Sequence, residues 1–120
     1  MNVLIVESKS ELGHMWQRHL ERMGADVELV NSQAGAICAL QETEYDVLVV
    51  DLVLQDGSAL TVSDFANYRC PEARVIFVTN TTFFSDGSIF AHSPNACAYV
   101  PSGTKPEDLA AMVDYYAALR

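Results

Sequence analysis

The sequence predicts a doubly wound α/β domain built on a five-stranded parallel sheet, and three observations predict it. Short apolar runs rich in β-branched residues alternate with helix-period segments from one end of the chain to the other. One of these runs, Val47-Leu48-Val49-Val50, is apolar on both faces, as a central strand covered by helices on each side must be. No Pro/Gly/Ser-rich linker, low-complexity tract or internal repeat divides the 120 residues, of which 50% are hydrophobic. A single domain over residues 1–120 is the expectation.

The elements follow in order. Val3-Leu4-Ile5-Val6 reads as the first strand. Ser10 is placed to cap a helix in which Leu12, Trp16, Leu20 and Met23 recur at helical spacing, and Gly24 ends it. Val27-Glu28-Leu29-Val30 is a weaker second strand. Ser32 then caps a helix with Ala36, Ile37 and Leu40 on its inner face. After the third strand a helix is expected near Ser58 to Tyr68, carrying Leu60, Val62 and Phe65. Pro71 breaks the chain before a fourth strand, Val75-Ile76-Phe77-Val78, which ends at Thr79. From Thr81 to Pro94, Asp86-Gly87 and Ser93-Pro94 interrupt any long helix, so a short or distorted one is expected there. Its Phe83, Phe84 and Phe90 read as core rather than as ligand contacts. Ala98-Tyr99-Val100 is a brief fifth strand. Pro106 suits the first turn of a last helix whose inward stripe is Leu109, Met112, Val113 and Tyr116.

Five strand–helix units imply right-handed crossovers and a working site outside the carboxyl ends of the strands. That rule selects Glu7 and Ser8, Asp51, Thr79 and Ser102. Composition narrows the chemistry. A net charge of −9 without a Lys/Arg stripe opposes direct nucleic-acid binding and anionic membranes. The longest apolar runs are too short to cross a bilayer, and Met1-Asn2 leads straight into the first strand without a signal-peptide pattern, which points to the cytoplasm. Cys38, Cys70 and Cys97 form no CxxC pair and read as small buried hydrophobes, while His14, His19 and His92 lack metal-ligand spacing. GxGxxG, a P-loop and a nucleophile–base pair are all missing, so an enzyme or nucleotide binder is the weakest reading.

Those positions carry a resemblance over nearly the whole chain. Leu4-Ile5-Val6-Glu7, Tyr45-Asp46-Val47-Leu48-Val49-Val50-Asp51-Leu52, Leu54-Gln55-Asp56-Gly57-Ser58-Ala59-Leu60 and Val75-Ile76-Phe77-Val78-Thr79 together resemble the response-regulator receiver domain of two-component signalling. Gln55 stands where proline is usual, Ala59 where glycine is usual, and Asn95-Ala96 replaces Gly-Ala. The resemblance implies the flavodoxin-like strand order 2-1-3-4-5. It implies Asp51 as phospho-acceptor, Thr79 as phosphate-sensing hydroxyl and Tyr99 as switch aromatic. Glu7, Asp51 and Val53 become the ligand positions for Mg²⁺, a hard ion suited to oxygen, needed because a carboxylate's own charge opposes attack on a phosphoryl group.

Two parts of the pattern are absent. Ser8 stands where a second acidic metal ligand belongs, which weakens Mg²⁺ binding. Ser102 stands where the family has lysine, with Gly103 in place of proline. Lys105-Pro106 is the alternative location for that Lys-Pro pair, against which Pro106 suits a helix start. Asp51 is therefore either a phospho-acceptor or an inherited carboxylate, and Thr79 and Tyr99 either report phosphorylation or simply pack. Function divides the same way: a phosphorelay receiver acting through protein contact with a histidine kinase, phosphotransfer protein or effector, or a pseudo-receiver binding module that is not phosphorylated. The face of the fourth helix, fifth strand and fifth helix, with Tyr99 and Tyr115, is the expected partner or dimer surface. The chain's end just after the last helix leaves no room for an output domain within it.

Overall fold

The computed structural model describes residues 1–79 and 96–119. The elements, in chain order, are β1 (Asn2–Val6), α1 (Ser10–Arg22), β2 (Asp26–Val30), α2 (Gln33–Glu42), β3 (Val47–Asp51), α3 (Ala59–Arg69), β4 (Arg74–Thr79), β5 (Ala96–Pro101) and α4 (Pro106–Ala118). All strand pairs are parallel and the order is 2-1-3-4-5, as expected. The helix expected between Thr81 and Pro94, with Phe83, Phe84, Phe90 and His92, lies outside the described residues.

Two apolar layers hold the sheet. Because side chains alternate along a strand, Leu4, Val6, Leu48, Val50, Val75 and Phe77 face one way, against Ala36, Leu40, Val62 and Ala66 of α2 and α3. Val3, Ile5, Val47, Val49, Ile76 and Val78 face the other, against Trp16 and Leu20 of α1 and Leu109 and Val113 of α4. All five residues of β3 are buried, as its unbroken apolar run requires. β5 carries a bulge: Val75 pairs with Ala96 but Ile76 with Ala98, so Cys97 is the extra residue.

Local chemistry sets the helix ends. Ser32 and Ser58 cap α2 and α3 by accepting the Gly35 and Thr61 N–H groups, at 3.1 and 3.3 Å. Ser10 does not cap α1. It is the first helical residue, and Lys9, which has no side-chain oxygen to offer, holds the cap position. Gly24 follows α1 with φ +95°, the left-handed conformation that ends a helix where glycine bears no Cβ penalty. Pro106 occupies the first turn of α4, with Glu107 and Asp108 at the positive end of its dipole.

Several inward stripes are narrower than the sequence predicts. Met23 is exposed at the end of α1, and Ile37, Leu60 and Phe65 are only half-buried. The cysteines are corrected too. Cys70 is buried and Cys97 half-buried, but Cys38 is exposed on the outer side of α2, since residues 36 and 40 take the inner positions one turn apart.

Candidate functional site

Parallel register brings the selected residues together at the carboxyl edge of the sheet. Val6 pairs with Val50, so Glu7, one residue past β1, stands beside Asp51, the last residue of β3. Asp51 in turn pairs with Val78, which places Thr79 one step further along β4. Thr79 pairs with Pro101, and its carbonyl accepts the Ser102 N–H at 2.8 Å. Glu7, Asp51 and Thr79 are all buried, at 1%, 7% and 7% exposure. Two adjacent carboxyls so deeply placed are the polar feature of this edge.

Their electrostatics follow from that burial. Desolvation raises the Glu7 pKa to about 8, with further contributions from its hydrogen bond to Asp51 and from the Asp51 charge. The Lys9 main-chain N–H, 3.4 Å from Oε2, pulls the other way and does not offset burial. Oε1 has no N–H or O–H donor among the described residues. The Asp51 carboxyl is the hydrogen-bonding neighbour of Glu7, and the raised pKa keeps one proton on the pair. Asp51 Oδ1 accepts the Val53 N–H at 2.9 Å, which fixes the carboxylate relative to the following loop.

The loops above the pair are tied by side chains. Ser8 Oγ accepts the Gln55 N–H at 3.0 Å and lies 3.5 Å from the Asn31 carbonyl, to which it donates. Ser8 thus joins the loops after β1, β2 and β3. Gln33 Oε1 accepts the Ser58 N–H at 2.8 Å, and Asp56 O accepts the Gln33 N–H at 3.0 Å. Gly57 makes this approach possible: its φ is +103°, and a Cβ there would lie 2.3 Å from Gln33 Cβ.

Mg²⁺ calls for oxygen donors, and the site brings the Glu7 and Asp51 carboxyls together, with Val53, whose side chain is exposed, held next to them through its N–H on Asp51 Oδ1. The orphaned Glu7 oxygen fits a hard cation in kind. The donor set is one carboxylate short, because Ser8 brings a neutral oxygen already engaged with Gln55. No group of three or more His, Cys, Asp or Glu side chains is placed to hold a metal among the described residues.

The remaining candidates lie further out. Tyr99 is half-buried and stacks on Phe77, with ring centroids 5.3 Å apart and planes at 21°, and burial raises its phenol pKa. Tyr115 is exposed at 61% on α4, edge-on to Tyr116, whose hydroxyl donates to the Cys97 carbonyl at 3.2 Å. Lys105 is exposed at the cap of α4, where its carbonyl accepts the Asp108 and Leu109 N–H groups. The sequence reading missed the Ser8–Gln55 bond. Its signal was present in two departures that complement each other, a hydroxyl at 8 and a residue with an N–H at 55 in place of proline.

No protein-family profile matches the chain, and no curated protein matches it either. Solved structures do. A CheY-like response regulator receiver domain protein from Methanospirillum hungatei superimposes with TM-score 0.88 at 20% identity, covering 98% of this chain and 94% of that one. A response regulator from Burkholderia pseudomallei, solved with a phosphorylated aspartic acid, a calcium ion and citrate, gives TM-score 0.80 at 22% identity over 98% and 73% of the two chains. TrrA from Thermotoga maritima, solved with Mg²⁺-BeF, gives 0.81 at 17% identity over 96% and 97%. The chain therefore has the fold of response-regulator receiver domains. Among the described residues, no helix is long and apolar enough to cross a membrane.

Proposed function

We propose that residues 1–120 form one cytoplasmic receiver-type domain of a phosphorelay, acting through protein contact, with Asp51 as its phospho-acceptor. One observation carries this reading: a buried carboxylate closes the central strand, beside Glu7 and held by the Val53 N–H at 2.9 Å. In this reading a histidine kinase or phosphotransfer protein delivers the phosphoryl group to an Asp51 oxygen. Glu7, Asp51 and the Val53 carbonyl hold Mg²⁺, which supplies charge neutralisation when bound. Thr79 senses the phosphoryl group and Tyr99 relays its presence. The effector is a protein rather than nucleic acid, since the chain carries a charge of −9.

A second reading, a pseudo-receiver that binds partners without phosphorylation, is favoured by the engagement of Ser8 with Gln55 where an acidic ligand belongs. Incubation with a small acyl phosphodonor and Mg²⁺, followed by mass spectrometry, separates the two. Slow Mg²⁺-dependent labelling that disappears in Asp51→Asn supports the first. A chain that stays unlabelled, while a variant with the missing charges restored becomes labelled, supports the second.

A further inference from the structure

The loop that follows Asp51, from Leu52 to Ser58, is fastened almost residue by residue. Leu52 donates its N–H to the Val78 carbonyl at 2.8 Å, Val53 to Asp51 Oδ1 at 2.9 Å and Gln55 to Ser8 Oγ at 3.0 Å. Between them the Leu54 side chain, 9% exposed, packs into the apolar layer under α2 and α3. Exposed loops ordinarily leave such N–H groups to water and open readily. Here Val53, Gln55 and Ser58 are exposed residues, yet the N–H of each has a protein acceptor.

The far end of the loop hangs on one residue. Gln33, the first residue of α2, accepts the Ser58 N–H on Oε1 at 2.8 Å and donates its own N–H to the Asp56 carbonyl at 3.0 Å. Main chain and side chain of one glutamine thus grip the turn on both sides of Gly57. Gly57 is the complement of that grip. A Cβ there would lie 2.3 Å from Gln33 Cβ, and its φ of +103° disfavours any other residue, so a side chain at 57 would drive the loop off α2. Ser58 in turn accepts the Thr61 N–H at 3.3 Å and caps α3, so the same grip fixes where α3 begins.

We propose that Gln33 is a positioning residue for Asp51. It holds the Asp56–Ser58 turn on α2 while Ser8 holds Gln55, and the loop fixed in this way presents the Val53 N–H to Asp51 Oδ1, which sets the rotation of that carboxylate. The pins are made by protein atoms, so the order of the loop does not wait on Mg²⁺. As a statement about a reacting carboxylate the inference rests on the receiver reading. As a statement about loop and carboxylate geometry it does not.

The test is amide hydrogen exchange by NMR on the whole isotope-labelled chain, in EDTA and again with Mg²⁺. In EDTA the Val53, Gln55 and Ser58 amides should exchange about tenfold more slowly than those of an unstructured chain, and Mg²⁺ should leave Gln55 and Ser58 unchanged. Gln33→Met suits a helix and removes only the acceptor, so exchange at Ser58 and Val53 should rise several-fold while strand amides keep their protection. Gln33→Glu restores an acceptor and should restore both. Gly57→Ala should reproduce the release from the loop side. A small acyl phosphodonor supplies the second readout: labelling of Asp51 should slow in Gln33→Met and recover in Gln33→Glu. Protection at Gln55 and Ser58 that appears only with Mg²⁺, Val53 exchange that Gln33→Met leaves unchanged, or labelling of Gln33→Met at the parent rate would each overturn the proposal. A parent chain that stays unlabelled would reject the receiver reading instead, and exchange at Val53 would still decide the role of Gln33.

Discussion

The Ser8 hydroxyl accepts the Gln55 main-chain N–H at 3.0 Å, bridging the loops on either side of the Glu7–Asp51 pair. Each residue is a departure from the receiver pattern, and the bond needs both. A proline at 55 has no N–H to give, and an acidic side chain at 8 belongs to the metal in that pattern. The serine hydroxyl instead ties together three loops, through Gln55 and the Asn31 carbonyl.

The first prediction concerns charge at the site. Ser8→Asp with Ser102→Lys supplies the missing ligand charge and the missing cation, so Mg²⁺ affinity should rise on the order of tenfold or more. Labelling of Asp51 by a phosphodonor should accelerate in parallel, and Asp51→Asn should abolish the gain. Rapid Mg²⁺-dependent labelling of the unaltered chain would reject a crippled site and direct attention to Lys105.

The Ser8–Gln55 bond should be measurable as a coupling. Ser8→Ala and Gln55→Pro each remove it, so their combined cost in urea unfolding should fall short of the sum by about 0.5–1.5 kcal/mol. Strict additivity would show that the two residues do not act together.

Glu7 sets a pH dependence. Its pKa rises from the ordinary 4.5 to about 8 on folding, so the folded chain holds an extra proton between those values. The stability from this group is fully present below pH 4.5 and is lost as pH rises through about 8. The loss is on the order of a few kcal/mol, at about 1.4 kcal/mol per pH unit. Glu7→Gln should flatten the dependence of the urea midpoint on pH over that window, and an unchanged slope would assign it elsewhere.

Helix caps give a sharper contrast than their sequences suggest. Ser32→Ala removes the oxygen that accepts the Gly35 N–H and should cost about 1 kcal/mol. Ser10→Ala, inside the first turn of α1 rather than at its cap, should change stability by less than about 0.5 kcal/mol. Thermal or urea unfolding of the two variants decides this.

Tyr115 and Tyr99 should separate surface from core. Tyr115→Ala, at an exposed position, should leave stability within about 0.5 kcal/mol and reduce any self-association or partner binding through its face. Tyr99→Leu breaks the stack on Phe77 and should cost about 0.5–1.5 kcal/mol. Analytical ultracentrifugation and urea titration read the two effects, and a Tyr115 variant that assembles like the parent would remove this face as an interface.

The sequence by itself determined the sheet and its working edge. Val47-Leu48-Val49-Val50 could be satisfied only between two helical layers, and alternation of strand and helix signals left one economical topology, with Asp51 at its carboxyl edge. Those inferences succeed because period and apolarity are local properties, written residue by residue. What tertiary structure decided is pairwise. Ser10 and Ser32 look alike as caps in sequence, yet only Ser32 has its oxygen at a free helical N–H. Cys38 and Cys70 look alike as small apolar residues, but helix phase exposes the first on α2, while the second is buried at the end of α3. Glu7 is placed at the working edge by sequence, but only the register of β1 and β3 sets it beside Asp51 and away from water, where desolvation and a like neighbour raise its pKa. The Ser8–Gln55 bond spans 47 positions of chain and exists only because parallel register stacks the loops after β1 and β3 at the same edge.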